Sequence, residues 1–201
     1  MKKEYIPVNC HCTNCEYYNI CPQIITECIN VVGTKGCEVL FVGQGGGDHE
    51  RIQKKPFVGP AGRRLREIIA HIWKTNVPFN IALSNTVRCQ PPGNRAPNDK
   101  ELIFCQQYLQ RDIAKLKPKL VIPLGLAAYK AIIQWDQRTT MAVIHGNMTL
   151  NPHITENMFY MGTYHPSYLI RIHGQTFDSE DRMNKIVIND IINGLHLSSI
   201  L

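Results

Sequence analysis

The sequence predicts an α/β fold, a three-layer αβα sandwich around a central, mostly parallel four-stranded sheet. Short apolar runs bounded by glycine or proline alternate with longer stretches of helical periodicity. This pattern is typical of parallel strands that are covered on both faces. The length of 201 residues suits one domain with a sizeable core, so we expect a single domain over residues 1–201.

Four apolar runs are the predicted strands, and each ends close to a glycine or a polar side chain. They cover residues 39–42, 80–83, 120–124 and 159–163. Residues 1–37 are rich in Cys and Asn and only weakly periodic. For that segment we expect irregular structure or short helices.

Three helices are predicted between and after these strands. Residues 61–73 have an apolar face of leucine and isoleucine. Asn98 and Glu101 form a capping-box pattern, which predicts a helix that runs to about residue 116, just before Pro118. The last helix is expected to begin at Asp178 or Ser179.

Residues with possible functions cluster where the predicted strands end. The glycine-rich stretch 43–47, Asn85 and His165 all follow strands, and ligands bind at the carboxyl ends of such sheets. Glycines let a ligand approach the backbone closely, although the stretch lacks a phosphate-loop pattern and could be a plain flexible loop. Phe57, just before a helix start, is either a core residue or a surface on which a flat ligand stacks.

Four of the eight cysteines suggest a metal site. Cys12 and Cys15 form a C-x-x-C pair, and Cys89 and Cys105 lie far downstream. Two such pairs suit a four-coordinate iron–sulfur or zinc site that joins the two ends of a domain. The alternative is a set of scattered buried cysteines, because free cysteine is among the most buried residue types.

Composition limits the compartment and the partners. Neither a leader-peptide pattern nor an apolar run of membrane-spanning length is visible, so we expect a cytoplasmic protein without a membrane partner. Clustered thiols in that compartment usually indicate metal binding or catalysis. The formal net charge of +6 is compatible with a nucleic-acid ligand but does not require one.

Five segments resemble, in order, the motifs of the family 4 iron–sulfur uracil-DNA glycosylases. They are FVGQGGG (41–47), PFVGPAG (56–62), NTVRCQPPGNR (85–95), LG (124–125) and YHPSYL (164–169). The resemblance covers roughly residues 10–172. Singly none of these segments would be specific, but together they are.

The resemblance implies a DNA-repair enzyme that hydrolyses the N-glycosidic bond of a flipped-out uracil and leaves an abasic site. Phe57 would stack on the base, and Asn85 would bind N3–H and O4, a pattern that cytosine cannot match. His165 would stabilise the developing uracil anion at O2. Gly43 and Gly45 would border the base, and Glu50 would lie near its C5 edge and exclude a thymine methyl group.

The resemblance also implies a cofactor and DNA contacts. The cofactor would be a [4Fe–4S] cluster on Cys12, Cys15, Cys89 and Cys105. The expected partner is uracil-containing DNA, single- or double-stranded, bound by a monomer. The residues expected to touch DNA are Arg88, Arg95 and Arg171 at phosphates, and Tyr168 and Leu169 as the wedge that fills the gap left by the flipped base.

The sequence departs from the family pattern at three points. Gln44 replaces the usual Glu of the first motif, and Gly46 replaces its Pro. Gln44 is similar to a catalytic Gln of family 1 enzymes, but Gly45 stands where those enzymes have Asp, so the first motif provides no carboxylate to orient water. Cys21 is the alternative to Cys12 as the fourth cluster ligand, because its distance along the sequence to Gly43 resembles that of the family's second cluster cysteine.

Three alternatives follow. The chain could be a catalytically weakened module that binds uracil-containing or damaged DNA, or a glycosylase with altered base specificity. It could also be a redox or zinc metalloprotein unrelated to DNA, which would explain the cysteines but not Phe57, Asn85 and His165 in the family's order.

Overall fold

The computed structural model describes residues 2–6, 26–30, 36–133, 139–150, 158–172 and 177–201. Strands and helices alternate along most of this chain, which confirms the α/β class. The strands are β1 (Lys2–Ile6), β2 (Thr26–Asn30), β3 (Val39–Gly43), β4 (Ile81–Asn85), β5 (Leu120–Pro123), β6 (Met148–Leu150) and β7 (Phe159–Met161). The helices are α1 (Asp48–Gln53), α2 (Pro60–Thr75), α3 (Asp99–Leu116), α4 (Leu126–Ile133), α5 (Met141–Ile144), α6 (Pro166–Ile172) and α7 (Phe177–Leu197).

Within the described residues, the sheet is mixed and has seven strands in the order β1-β2-β4-β3-β5-β7-β6. Its centre, β4-β3-β5-β7, is parallel and consists of the four predicted strands. The prediction of four strands is nevertheless wrong for the whole sheet. Antiparallel pairing adds β2 and β1 beyond β4, and β6 beyond β7.

There are physical reasons why the sequence pattern did not predict the additional strands. In β2, Thr26 and Glu27 are polar yet buried, so the segment lacks the apolar pattern of a covered strand. β6 has only three residues. Expecting only irregular structure or short helices across residues 1–37 was therefore wrong where β1 and β2 form.

The core lies on both faces of the sheet. One cluster packs α2 and α7 against alternate strand residues such as Phe41 and Leu83. The other packs α3 and α4 against the opposite residues, among them Leu40 and Ala82. Among the described helices, none is long and apolar enough to cross a membrane.

The strand ends determine where polar side chains meet. In the parallel pair of β3 and β4, Gly43 lies opposite Asn85. Past β5 and β7, Leu124 pairs with Thr163, two residues before His165. The glycine-rich stretch, Asn85 and His165 therefore all lie along the carboxyl edge of the sheet. The predicted capping box at Asn98 and Glu101 is also confirmed, and it begins α3 next to the same edge.

Candidate active site

Asn85 and Phe57 converge on Gly43 at the carboxyl edge. A Cβ added to Gly43 would lie 2.6 Å from Asn85 Oδ1 and 2.8 Å from Phe57 Cζ. Only glycine leaves room for both side chains at this strand end. Asn85 is 3% exposed and Phe57 is 5% exposed, so the two groups lie in an interior that excludes most water.

Phe57 has an uncommon backbone conformation, with φ of 54°, in the left-handed region that disfavours residues with a side chain. Gly62, in the first turn of α2, makes this possible, because a Cβ there would lie 2.0 Å from the Phe57 carbonyl oxygen. Arg66 Nε donates to that oxygen at 3.2 Å. The start of α2 therefore holds the Phe57 ring against Gly43.

Glu50, in α1, connects the glycine-rich loop to the segment after Phe57. Its Oε2 accepts a hydrogen bond from Gly47 N at 3.0 Å, and its Oε1 accepts from Val58 N at 2.8 Å and Gly59 N at 2.6 Å. The side chain is buried and borders the same cavity as Phe57 and Asn85. Both oxygens are bonded to backbone amides, so the geometry favours a role in holding the loops.

His165 has its ring orientation determined by Ser167. The Ser167 backbone N–H donates to Nδ1 at 3.1 Å, and the Ser167 hydroxyl lies 2.8 Å from the same nitrogen. Because Nδ1 accepts, a neutral ring carries its proton on Nε2. Burial, together with the positive charge of Arg171, lowers the pKa of His165 to about 4. The ring is therefore neutral at pH 7, and its Nε2–H is a hydrogen-bond donor.

Two adjacent cavities meet at His165. The first, of about 410 Å³, is bordered by Glu50, Phe57, Asn85 and His165, and we call it the base cavity. The second, of about 490 Å³, is bordered by Gln44, Tyr164, His165, Tyr168 and Arg171. Gly45 borders both cavities. A planar base in the first and a sugar or water in the second would both contact the His165 ring.

Gln44 borders the second cavity, and its backbone bonds to the segment just after Asn85. Its carbonyl oxygen accepts from Thr86 Oγ1 at 2.5 Å and from Val87 N at 3.1 Å. These bonds join the glycine-rich loop to the segment just after Asn85. Across the described part of the chain, the residues that border the second cavity include no carboxylate.

Tyr168 is the exposed aromatic residue beside the second cavity, whereas Leu169 is buried. The Tyr168 ring stacks on Tyr164 with centroids 5.7 Å apart and an interplanar angle of 24°. Leu169 is 1% exposed and packs into the core. The prediction that Leu169 forms part of a wedge is therefore wrong in this conformation, while Tyr168, at 38% exposed, remains available.

The three predicted phosphate contacts differ in exposure. Arg88 is 2% exposed and its guanidinium bonds to Asp112, Thr26 and Ser84. The prediction that Arg88 meets a phosphate is therefore wrong, because an interior ion pair holds it. Arg95 is partly exposed but forms two bonds to Glu101. Arg171 is exposed at the rim of the second cavity.

The predicted cluster ligands are only partly within the described chain. Cys105 is buried on α3 and packs with Val87, two residues before the half-buried Cys89. Cys12, Cys15 and Cys21 lie outside the described residues. Within the described ranges, no group of three or more His, Cys, Asp or Glu side chains could hold a metal ion.

Sequence reasoning overlooked Ser167 and Gly62. Ser167 determines the His165 tautomer, and its position two residues after a histidine at a helix start was a usable signal, since serine hydroxyls and amides bond locally there. Gly62 is needed for the Phe57 conformation, and no local pattern could have indicated that contact.

Comparisons with known proteins show which family the chain resembles along most of its length. The family model described as the uracil DNA glycosylase superfamily matches residues 31–189. A type-4 uracil-DNA glycosylase of Thermotoga maritima is 28% identical over 85% of this chain and 84% of its own length. Type-4 enzymes of Pyrobaculum aerophilum and Sulfurisphaera tokodaii are 32% and 28% identical, over 66% and 78% of this chain and 68% and 70% of their own lengths. The chain belongs to the uracil-DNA glycosylase superfamily.

Proposed function

We propose that this chain is a monomeric DNA-repair glycosylase that hydrolyses the N-glycosidic bond of uracil flipped out of DNA and leaves an abasic site. The observation that carries the proposal is that Phe57, Asn85 and His165 border one cavity. The family match and the type-4 enzymes at 28–32% identity support it. Uracil in single- or double-stranded DNA is the proposed substrate.

In the proposed reaction, the base enters the cavity and stacks on Phe57. The Asn85 amide oxygen accepts from N3–H and its NH₂ donates to O4. As the glycosidic bond breaks, negative charge develops on the base, and Nε2–H of the neutral His165 donates to O2. A water molecule then attacks the oxocarbenium-like sugar and its proton passes to the uracil anion, so neutral uracil leaves and no covalent nucleophile is needed.

DNA would be held by groups around the second cavity. Arg171 is exposed there and would contact a phosphate, and Tyr168 would occupy the gap left by the flipped base. Arg95 would contact a phosphate while it remains paired with Glu101. These roles follow from the exposed positions of the side chains.

We propose a [4Fe–4S] cluster on Cys12, Cys15, Cys89 and Cys105, with Cys21 as the alternative to Cys12. Ile6 pairs with Thr26, and Thr26 Oγ1 lies 3.0 Å from Ser84 Oγ. Ile6 and Thr26, the described residues that flank the segment with Cys12, Cys15 and Cys21, therefore lie at the carboxyl edge that leads to Cys89. The donor set of thiolates fits such a cluster. When bound, the cluster would supply a structural link between these segments.

Iron content and colour test the cofactor. Anaerobically purified protein should be brown and contain about four irons per chain. Cys105→Ala should lower iron and thermal stability, while Cys37→Ala, a buried thiol on another segment, should retain iron. Of Cys12→Ala and Cys21→Ala, the variant that loses iron identifies the fourth ligand. Colourless protein with one tightly bound zinc would contradict the iron–sulfur assignment.

The second cavity, which Gln44 borders, has no carboxylate among its described lining residues, and this favours a second candidate function. With no carboxylate in that cavity to orient the water, the chain could be a weakened glycosylase that mainly binds damaged DNA, or one with altered base specificity. A variant that carries Gln44→Glu and Gly46→Pro restores the usual family residues. A large rate increase in that variant, from an inert wild type, would favour the binding module.

Release of free base from an oligonucleotide tests the proposed function. The wild-type chain should release uracil from a strand with one deoxyuridine and leave the matched thymidine strand intact. His165→Ala should lower turnover more than DNA binding, because its contact strengthens only as charge develops. DNA binding without any base release would contradict the enzyme assignment.

A further inference from the structure

A buried polar network lies beneath the turn that carries Asn85. Arg88 folds back under this turn, and its Nη1 donates to Ser84 Oγ at 2.9 Å and to Thr26 Oγ1 at 2.6 Å. Its Nη2 pairs with Asp112 Oδ2. Thr26, Ser84, Arg88 and Asp112 are all at most 2% exposed. We call these four residues the Arg88 network.

The protons of the network are fully assigned by its chemistry. Thr26 Oγ1 lies 2.5 Å from Asp112 Oδ2 and donates to it, because a carboxylate can only accept. Ser84 Oγ, 3.0 Å from Thr26 Oγ1, then donates to Thr26. Arg88 supplies the remaining donors. The hydroxyls therefore form a directional chain that ends on a carboxylate, and such chains strengthen each bond.

The network connects three elements, and one of them, β4, borders the base cavity through Asn85. Ser84 and Asn85 are successive residues of β4, so their side chains point to opposite faces of the sheet. On one face Asn85 borders the base cavity, and on the other Ser84 bonds to Arg88. Thr26 opens β2, and Asp112 belongs to α3, the helix that carries Cys105.

The turn itself is held from both sides. Thr86 N donates to Gly43 O at 2.8 Å and Val87 N donates to Gln44 O at 3.1 Å. On the other side the Arg88 side chain joins the end of the turn to its start at Ser84. Asn85 lies between these two attachments, which leaves its backbone little freedom to move.

Stability alone does not account for the network. Removing a guanidinium and a carboxylate from water carries a large desolvation cost, and apolar replacements of similar volume are often as stable. In addition, Arg88 Nε is buried without a hydrogen-bond partner among the described residues, which is a further cost. The Arg88 network is energetically costly and lies next to Asn85. This combination favours a role in fixing the position of Asn85.

We propose that Arg88 and Asp112 are positioning residues that hold the Asn85 amide in the orientation that distinguishes uracil from cytosine. The effect that we expect on uracil release rests on the proposed function. The structural content of the proposal is independent of that function, because it concerns the order of the Asn85 side chain in the free protein.

The first test replaces the buried pair by apolar residues, as Arg88→Met with Asp112→Leu. This double variant should melt within a few degrees of wild type, because the apolar pair packs without desolvating charge. Its kcat for uracil release should nevertheless fall about 10- to 100-fold, since a displacement of about 1 Å can have effects of that size. KM for DNA should change little, because phosphate contacts elsewhere determine affinity.

Nuclear magnetic resonance provides a readout that does not need activity. The side-chain amide of Asn85, assigned by its loss in Asn85→Ala, should be ordered in the free wild-type protein. In the double variant its order parameter should fall to the range of a flexible group, below about 0.6. A merely stabilising network would leave that order unchanged in a folded variant. This measurement also stands if the wild type releases no base, which would contradict the proposed function alone.

If the double variant does not fold, Ser84→Ala takes its place in the test. It keeps the Arg88–Asp112 ion pair and removes only the hydrogen bonds of the network to β4. Ser84→Ala should lower kcat several-fold and lower the order of the Asn85 amide. Arg88→Lys, which keeps the charge, should reduce kcat and this order less than the double variant does. The control is Asp181→Asn with Lys185→Gln, an exposed ion pair on α7, which should change neither quantity. Wild-type kcat and wild-type Asn85 order in folded Ser84→Ala would overturn the proposal.

Discussion

At the residue scale, base recognition depends on the amide of Asn85. Asn85→Asp replaces the donor toward O4 by an acceptor, which opposes uracil and suits the amino group of cytosine. A lost buried hydrogen bond costs about 1–3 kcal/mol, or about 5- to 150-fold in rate. Uracil release should fall by at least this factor while cytosine release rises, measured as single-turnover rates on matched oligonucleotides.

The control for this change is Asn193→Asp, which makes the same substitution at an exposed position of α7. It should leave both rates at wild-type values. If Asn85→Asp also keeps the wild-type uracil rate, Asn85 does not recognise the base.

A second prediction at the residue scale concerns the pKa of His165. Burial is the larger cause of its lowered pKa and Arg171 the smaller one. In the free protein, an NMR titration should therefore give a pKa of about 4 for His165, below its ordinary value of 6.5. Arg171→Gln should raise that pKa, although burial should still keep it below 6.5.

The same shift has a consequence for stability. Between pH 6.5 and about 4 the unfolded chain binds a proton at this histidine and the folded chain does not. The contribution of His165 to the free energy of unfolding is therefore present above pH 6.5 and decreases as the pH falls toward 4. An unshifted His165 pKa in wild type would contradict the half-buried, neutral ring.

At the element scale, the approach of β3, β4 and the start of α2 shapes the base cavity. Gly43→Ala should displace both Asn85 and Phe57, because its Cβ would come within 2.8 Å of each. Gly47→Ala in the same loop is the matched control, since its Cβ would lie at an ordinary 3.4 Å from Glu50. Single-turnover rates should fall about 10-fold or more for Gly43→Ala, given the sensitivity of such sites to displacement. Equal rates for the two variants would show that Gly43 is not tightly packed.

The elements also show what the sequence alone could predict. The strands β3, β4, β5 and β7 could be located because their residues are apolar and covered on both faces. β2 could not, because burial of Glu27 depends on an ion pair with Arg66, 39 residues away. Polar strands of this kind are recognisable only once their partners are in place.

The residues of the candidate site were likewise predictable from the sequence only in part. Asn85, Phe57 and His165 come together as expected because strand ends meet at one edge of a parallel sheet, and their roles remain predictions. Arg88 and Leu169 were wrongly expected at the DNA surface, since exposure depends on packing against α3 and the core. A basic or apolar residue in a motif does not by itself indicate which way the side chain points.

At the scale of the whole molecule, binding to DNA should depend on salt. If about four phosphates are neutralised, log K should fall against log salt with a slope of about −3.6. Arg171→Gln should reduce that slope by about 1, because it removes one phosphate contact. Fluorescence anisotropy at several salt concentrations measures both slopes.

The control is Lys115→Gln, in the last turn of α3, at the amino edge of the sheet and away from the cavities. Its slope should equal that of wild type. A salt-independent affinity would contradict a phosphate-based interface.

The central claim is that one cavity, bordered by Phe57, Asn85 and His165, receives a flipped uracil. A crystal structure of the chain with a duplex that carries one 2′-fluoro-deoxyuridine, which resists hydrolysis, tests it most directly. The predicted complex has the base stacked on Phe57, the Asn85 amide bonded to N3 and O4, and His165 Nε2 bonded to O2. A base that stays stacked in the duplex, or that occupies the second cavity beside Tyr168, would contradict the account.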